Sequence, residues 1–197
     1  MNHPLRCRCG ALEGQVIPSR SATHAVCYCR DCQAYARFLG EAGIVDEKGG
    51  TEVVAMLSAR VQLTRGLQHL ACLSLSARGL LRWYASCCAT PIVNTPRNCG
   101  VPYAGLVHSC LGDAAAIRKT FGPLRIAVNT KSARHAVRST PLATTFGVLQ
   151  LATALIGARV TGAYRHTPFF APGSGTPIKP VRVLTPDERA RAYRTSA

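Results

Sequence analysis

The chain has 197 residues, 47% of them hydrophobic and 17% charged, which excludes a largely disordered protein and fits one domain with an extension. Its 24 Lys and Arg against 9 Asp and Glu give a formal charge of +15, which favours anionic partners such as carboxylate-bearing small molecules, nucleic acid or an acidic membrane surface. The basic residues are scattered and do not alternate with aromatic residues, which argues against a nucleic-acid groove.

The N-terminal segment carries the first pair of closely spaced cysteines, Cys7 and Cys9, followed by Gly10. Side chains at positions i and i+2 of a strand share a face, so we expect a strand that points both thiols at one metal ion, with a turn at Gly10. The first residues lack the apolar core of a signal peptide, so we predict a cytoplasmic protein. In a reducing compartment, closely spaced cysteines indicate metal ligands or redox groups before disulfides.

The second cysteine segment is Cys27-x-Cys29-x-x-Cys32, preceded by a short predicted strand over 23–26. A helix is predicted directly after it, over 33–39, ending near Gly40. Three thiolates at this corner leave one position of a tetrahedral ion open for water, a substrate thiol or a distant side chain. An open position is typical of a catalytic rather than a structural zinc site.

The middle of the chain has the pattern of a strand meander. Strand-like runs separated by turn-sized gaps are followed by a short helix with an Asp cap and a further strand. The run over 80–84 leads directly to the adjacent Cys87 and Cys88. The predicted strands are 52–56, 61–64, 69–75, 80–84, 103–108 and 124–129, and the predicted helix is 113–121.

The C-terminal part, 131–197, differs in composition from what precedes it. Residues 141–158 contain no charged residue, which predicts an apolar helix packed on the domain or used in self-association as a homo-oligomer; membrane contact through this helix is the less favoured alternative. A proline-rich loop follows. Thr185-Pro-Asp-Glu188 is a capping box that predicts a short closing helix.

Together the cysteine segments resemble the glutathione-dependent formaldehyde-activating enzyme (GFA) family. The resemblance rests on C-x-C-G at Cys7, C-x-C-x-x-C at Cys27 leading into a helix, and Cys88-Ala-Thr-Pro after an aromatic residue. It covers about residues 5–130. It implies a mainly β (α+β) fold, the GFA-like β-tent, over 1–130, with a helical and extended C-terminal extension over 131–197. It also implies two Zn²⁺ sites: a structural site at Cys7, Cys9 and Cys88, and a catalytic, exchangeable site at Cys27, Cys29 and Cys32.

The chain departs from the family pattern around the third cysteine segment. Ala85 stands where the family has a cysteine, and Cys87 and Cys88 are adjacent, so their side chains would diverge in extended backbone. Cys87 bending in as the fourth ligand is the preferred outcome. There are two alternatives. The fourth ligand is instead Cys72, Cys99 or Cys110, which otherwise serve as small buried hydrophobic residues, or the site binds metal weakly. Ala89 replaces the family's glycine and predicts an altered turn.

The resemblance implies a zinc-dependent carbon–sulfur lyase-like activity, similar to S-(hydroxymethyl)glutathione synthase, on a thiol adduct of a small aldehyde. The basic charge favours an anionic thiol such as glutathione. Arg30, Arg37 and Arg82 are candidates for binding its carboxylates, and the alternative for all three is a solvated surface role. A non-catalytic zinc- or other metal-binding interaction module is the second hypothesis, and thiol redox chemistry at Cys87 the third. Three thiolates would also suit Cu(I).

Overall fold

The structure is a computed structural model that describes residues 1–40 and 43–194. It shows a mixed α+β fold made mostly of sheet, which confirms the predicted class. The strands are β1 (His3–Arg6), β2 (Glu13–Val16), β3 (Thr23–Cys27), β4 (Thr51–Leu57), β5 (Val61–Arg65), β6 (Leu70–Ser74), β7 (Leu81–Ala85), β8 (Thr90–Thr95), β9 (Tyr103–Val107), β10 (Ile126–Val128) and β11 (Val181–Val183). The α-helices are α1 (Arg30–Phe38), α2 (Ala114–Phe121), α3 (Pro141–Val160) and α4 (Pro186–Tyr193).

The strands of the described residues form two sheets. The smaller has the order β1-β2-β5 and is antiparallel, and the larger has the order β10-β3-β4-β9-β8-β7-β6-β11. The two edge strands of the larger sheet, β10 and β11, pair in parallel with β3 and β6, whereas its inner strands are antiparallel. Both sheets contribute apolar side chains to one main core, in which Leu5 and Leu12 from the small-sheet region pack with Trp83 and Leu106 from the large sheet.

The C-terminal part is built into this architecture. The β11 strand continues the large sheet at the β6 edge, and Phe169 and Phe170 lie against Trp83 with ring centroids 5.3 and 6.3 Å away. The α4 helix begins at the predicted capping box, in which the Thr185 and Glu188 side chains bond each other's backbone N–H, and packs on α1. The boundary near residue 131 stays a prediction, but the chain on its far side completes both sheet and core.

Candidate metal centres

The first cysteine pair lies in a turn rather than on a strand. The β1 strand ends at Arg6, so Cys7 and Cys9 follow it, and Gly10 has a φ of +75°, which suits glycine. The Gly10 N–H donates to the Cys7 carbonyl (2.9 Å), and the Leu12 N–H donates to Cys7 Sγ (3.3 Å). The expectation of two thiols on one strand face is therefore wrong. The tight turn brings the thiols together instead, with their sulfurs 3.5 Å apart.

The third cysteine segment also lies in a turn, the one that joins β7 to β8. Ala89 has a φ of +54°, in the left-handed region that is costly for a residue with a Cβ. Because the backbone is turned rather than extended, Cys87 and Cys88 do not diverge, and their sulfurs are 3.8 Å apart. The turned backbone at Ala89 therefore allows the side chains of Cys87 and Cys88 to face one ion.

The two turns form one four-sulfur group, here called cluster A. Its members are Cys7, Cys9, Cys87 and Cys88, whose sulfurs all lie within 4.8 Å of one another. Cys87 Sγ is 3.8 Å from Cys7 Sγ and 3.3 Å from Cys9 Sγ, much longer than a disulfide of about 2.05 Å. Sulfurs about 2.3 Å from a tetrahedral ion lie about 3.8 Å from each other, so this donor set fits zinc. Cluster A joins the small sheet to the large one.

The neighbours of cluster A tune its thiols. Burial raises the pKa of Cys88, but hydrogen bonds outweigh it, first that with the Thr90 hydroxyl at 3.0 Å, and bring the pKa down to about 6. Desolvation and hydrogen bonds to Cys9 and Cys7 raise the pKa of Cys87 to about 12. A reactive redox cysteine needs a lowered pKa, and within this cluster the lowered pKa belongs to Cys88 rather than to Cys87.

The second group, cluster B, consists of Cys27, Cys29 and Cys32, whose sulfurs also lie within 4.8 Å of one another. Cys27 is the last residue of β3, and Cys29 is the N-cap of α1, where its sulfur accepts the Cys32 N–H at 3.3 Å. The strand end and the first helical turn therefore converge on one point. Among the residues that the structure describes, no fourth Cys, His, Asp or Glu side chain joins this group.

The three thiols of cluster B share protons unequally. Hydrogen bonds from Cys29 and Cys32 lower the pKa of Cys27 to about 2, so the thiolate charge settles there. The same bonds raise the pKa values of Cys29 and Cys32, and burial raises that of Cys32 further. The Asn129 side-chain amide, just after β10, donates to Cys27 Sγ at 3.4 Å and also favours the thiolate.

A buried arginine forms part of the wall of cluster B. Arg82, on β7, is 2% exposed, and its guanidinium lies 4.0 Å from Cys32 Sγ, 3.3 Å from the side-chain carbonyl of Asn94 and 5.0 Å from the Tyr35 ring. The Asp31 carboxylate lies 4.0 Å from the Arg82 guanidinium. A buried cation needs a compensating anion, and three thiolates with one Zn²⁺ carry a net charge of about −1. The surface role considered for Arg82 is therefore wrong.

Two hydroxyl side chains complete the surroundings of cluster B. Thr51 pairs directly with Cys27 across β3 and β4, so the two side chains share a face, and its buried Oγ1 has no hydrogen-bond partner within the described part of the chain. The Tyr103 hydroxyl lies over Gly105, where a Cβ would come within 2.7 Å of it. Burial, and then the charges of Cys32 and Cys27, raise the pKa of Tyr103 to about 12, so it stays protonated at neutral pH.

The two arginines proposed to bind carboxylates lie together beside cluster B. Arg30 is exposed at the start of α1, directly after Cys29, and the Arg37 Nε donates to the Ala192 carbonyl at 2.7 Å. Both line one cavity of about 380 Å³, which Lys131 and Arg134 also line. This basic cavity could take an anionic ligand. Its full lining is Arg30, Gln33, Arg37, Lys131, Ser132, Ala133, Arg134 and Tyr193.

The remaining cysteines lie outside both clusters. Cys72 and Cys110 are buried in the main core, as expected of small hydrophobic side chains. Burial raises the pKa of Cys72 to about 12 and that of Cys110 well above its usual range. Cys99 is half-buried. His24 is buried as well, bonded to the Gly122 carbonyl (2.7 Å) and the Glu52 carboxylate (2.6 Å), so it has a structural role. None of these groups joins cluster A, whose fourth sulfur is that of Cys87.

Sequence reasoning identified the seven clustered cysteines, and the structure brings them together as two groups; their roles as zinc ligands stay predictions. It missed Thr51, Tyr103 and Asn129. Asn129 was placed at the end of the predicted 124–129 strand, without a role at the site. Thr51 and Tyr103 carry no local pattern that distinguishes them from ordinary strand residues.

Comparison with known proteins gives the following relationships. No match was found among curated proteins. The crystal structure of a Rhodobacter sphaeroides protein is 17% identical with a TM-score of 0.42, over 61% of this chain and 96% of that chain. The model of a protein family of unknown function matches residues 1–181, so the chain belongs to that family, DUF6151.

Proposed function

We propose that this protein is a zinc-dependent carbon–sulfur lyase-like protein of the GFA-like β-tent type, which handles a thiol adduct of a small aldehyde. The observation that carries the proposal is the contrast between its clusters: cluster A offers four sulfurs, whereas cluster B offers three. Four thiolates satisfy a tetrahedral zinc ion and suit a structural site. Three thiolates leave a position for a reactant and suit a catalytic site.

The residues around cluster B support chemistry at that open position. Zn²⁺ bound there would act as a Lewis acid and lower the pKa of a thiol beside it. In the synthetic direction the thiol loses its proton, its sulfur bonds to the aldehyde carbon, and the carbonyl π pair moves to the oxygen, which takes up a proton. The reverse sequence breaks the C–S bond. No oxidant or reductant is needed.

Three side chains have distinct roles in this proposal. Tyr103, protonated at neutral pH, is the candidate proton donor to the developing alkoxide. The Thr51 hydroxyl, buried without a partner among the described residues and paired across strands with Cys27, is the candidate to bond a reactant oxygen. Arg82 stabilises the negative charge of the thiolates from behind.

The basic cavity beside cluster B supports an anionic thiol as the substrate. Arg30 follows Cys29 and Gln33 follows Cys32 along α1, so the cavity and cluster B share this helix, and we infer that the carboxylates of a thiol at cluster B bind in the cavity. Guanidinium groups bind carboxylates bidentately. Glutathione, with two carboxylates, has this chemistry.

The test combines metal counting with turnover. We expect two zinc ions per chain in the wild type and one in Cys29→Ser, measured by mass spectrometry of metals. Exchange NMR with glutathione and formaldehyde should show that the wild type accelerates adduct formation and that Cys29→Ser does not. Tyr103→Phe should keep its zinc content and reduce the rate of adduct formation at least about tenfold. Cys72→Ser, a change outside both clusters, is the matched control. Two bound zinc ions without any acceleration would exclude this function.

The second candidate is a non-catalytic metal-binding interaction module. It is favoured by the exposed apolar surface of α3, which no described residue covers. It predicts that glutathione has no effect on the Cys27, Cys29 and Cys32 site. Glutathione titrated into Co²⁺-substituted protein should change the cobalt absorption bands under the lyase proposal and leave them unchanged under the module proposal.

A further inference from the structure

The outer face of α3 is apolar and exposed. Phe146, Leu149 and Ile156 follow one another at intervals of three or seven, on one side of the helix, with Leu142 and Val160 at its two ends. Leu142 is 86% exposed, Phe146 70% and Val160 81%. The helix is long and apolar enough to cross a membrane by length and composition, but only 11% of its most apolar window is buried, unlike a helix of a protein core. We call the stripe of Leu142, Phe146, Leu149, Ile156 and Val160 the outer face of α3.

The opposite side of α3 is fixed to the large sheet. Gly147 is buried, and a Cβ there would lie 2.6 Å from Ile126 Cδ1 and 3.1 Å from the Thr23 methyl group. Ala143 packs on the same small apolar cluster, and the Gln150 side chain donates to the Arg20 carbonyl. Because residues 143–150 of α3 pack on the sheet and the preceding loop, this half of the helix lies against the domain with its outer face exposed.

The segment of the chain that carries α3 has formal charge of one sign. Between Asp113 and Asp187 the sequence has no Asp or Glu. The same segment contains ten basic residues: Arg118, Lys119, Arg125, Lys131, Arg134, Arg138, Arg159, Arg165, Lys179 and Arg182. Two thirds of the formal charge of +15 therefore come from the part of the chain that carries the exposed helix.

We propose that the outer face of α3 docks on the surface of an anionic lipid bilayer. A helix whose apolar side chains enter the headgroup region is held there jointly by apolar burial and by flanking Lys and Arg near anionic lipids. A second copy of the chain fits less well, because it would bring two such basic segments together without an acidic residue in either to pair with them. Insertion across the bilayer would require breaking the packing contact between Gly147 and Ile126.

Vesicle flotation with the full chain tests the proposal. We expect at least about tenfold more binding to phosphatidylcholine vesicles containing about 30 mol% phosphatidylglycerol than to phosphatidylcholine alone, and loss of most of this binding in about 0.5 M salt. Phe146→Glu with Leu149→Glu should reduce binding about tenfold, with zinc content and circular dichroism unchanged. Leu80→Glu is the matched control, because Leu80 is 44% exposed on the turn between β6 and β7 and should leave binding intact.

Three results would overturn the proposal. The first is equal binding to both kinds of vesicle or to neither. The second is a dimer in solution that dissociates on Phe146→Glu while vesicles bind nothing, which would assign the face to a second copy. The third is binding that resists both high salt and alkaline carbonate, which would indicate a spanning helix. The vesicles contain no thiol substrate, so the outcome is independent of the proposed catalytic function.

Discussion

Ala89 has a strained backbone conformation in the turn that brings Cys87 and Cys88 together. Its positive φ of +54° belongs to the turn that places Cys87 and Cys88 side by side in cluster A. An L-residue with a Cβ pays about 1–2 kcal/mol in this conformation, and glycine pays almost none.

We expect Ala89→Gly to stabilise the zinc-loaded protein by about 1 kcal/mol, because relief of the strain exceeds the greater flexibility of glycine in the unfolded chain. Urea unfolding measures this change. Ala133, with a φ of −67°, provides the control, since Ala133→Gly should destabilise by a few tenths of a kcal/mol. An equal loss in both variants would show that the turn at Ala89 is unstrained.

Arg82 is expected to set the metal affinity of cluster B. Arg82→Met removes the buried positive charge 4.0 Å from Cys32, so the zinc dissociation constant of cluster B should rise about 10–100-fold. Competition with a chromophoric chelator measures it, with cluster A as the internal reference in the same chain. Arg82→Lys, which keeps the charge, should lose less affinity than Arg82→Met. Equal losses in the two variants would mean that packing, rather than charge, is responsible.

Proton release should accompany metal binding at cluster B. The pKa of Cys27 is low, so this residue is already a thiolate, whereas the raised pKa values of Cys29 and Cys32 keep both protonated at neutral pH. Zinc must displace about two protons, and affinity should therefore rise as pH increases towards the pKa values of these two thiols. Calorimetry of Cys9→Ser in buffers of different ionisation enthalpy counts the protons. Binding heat that is independent of buffer would contradict the assignment.

At the scale of elements, the local patterns predicted more of the fold than of the packing. The end of α1 was predictable because a helical run is followed by Gly40, but the helix begins at Arg30 rather than at residue 33, so Cys32 lies in its first turn. The α4 helix was predictable because its capping box is complete in sequence. The β8 strand was missed because all six of its residues are buried, so it lacks the alternation that identifies a half-buried strand, and because Pro91 interrupts it. The β11 strand has three residues and depends on pairing with β6. Thr51 and Tyr103 joined the candidate site only through such long-range pairing.

The C-terminal part should matter to stability through Phe169 in particular. Phe169 is fully buried against Trp83, so Phe169→Ala should destabilise the protein by about 3–5 kcal/mol. Phe146→Ala offers a matched control, because Phe146 is largely exposed on α3 and should change stability by less than about 0.5 kcal/mol. Thermal unfolding of the two variants distinguishes them. A tolerated Phe169→Ala would mean that the segment after residue 131 is dispensable to the core.

At the scale of the whole molecule, the two clusters have different mechanical positions. Cluster A joins turns that belong to different sheets, whereas cluster B lies at one corner between β3 and α1. We expect Cys9→Ser to lower stability by about 4 kcal/mol where free zinc exceeds the dissociation constant of cluster A a thousandfold, and Cys29→Ser to lower it less because the three sulfurs of cluster B bind zinc more weakly than four. Unfolding with and without a chelator measures both. If the chelator lowered the stability of wild type and Cys9→Ser equally, cluster A would not be a structural site.

The order in which the sheet is completed has a consequence for synthesis. Every cysteine of both clusters lies between residues 7 and 88, but the strands that cover the two edges of the large sheet, β10 and β11, come from residues 126–128 and 181–183. A nascent chain therefore exposes all its metal ligands on the ribosome before either edge can be covered. Unpaired edges promote aggregation, and N-terminal parts fold first during translation. Zinc supply during translation should therefore determine how much of this protein is recovered soluble.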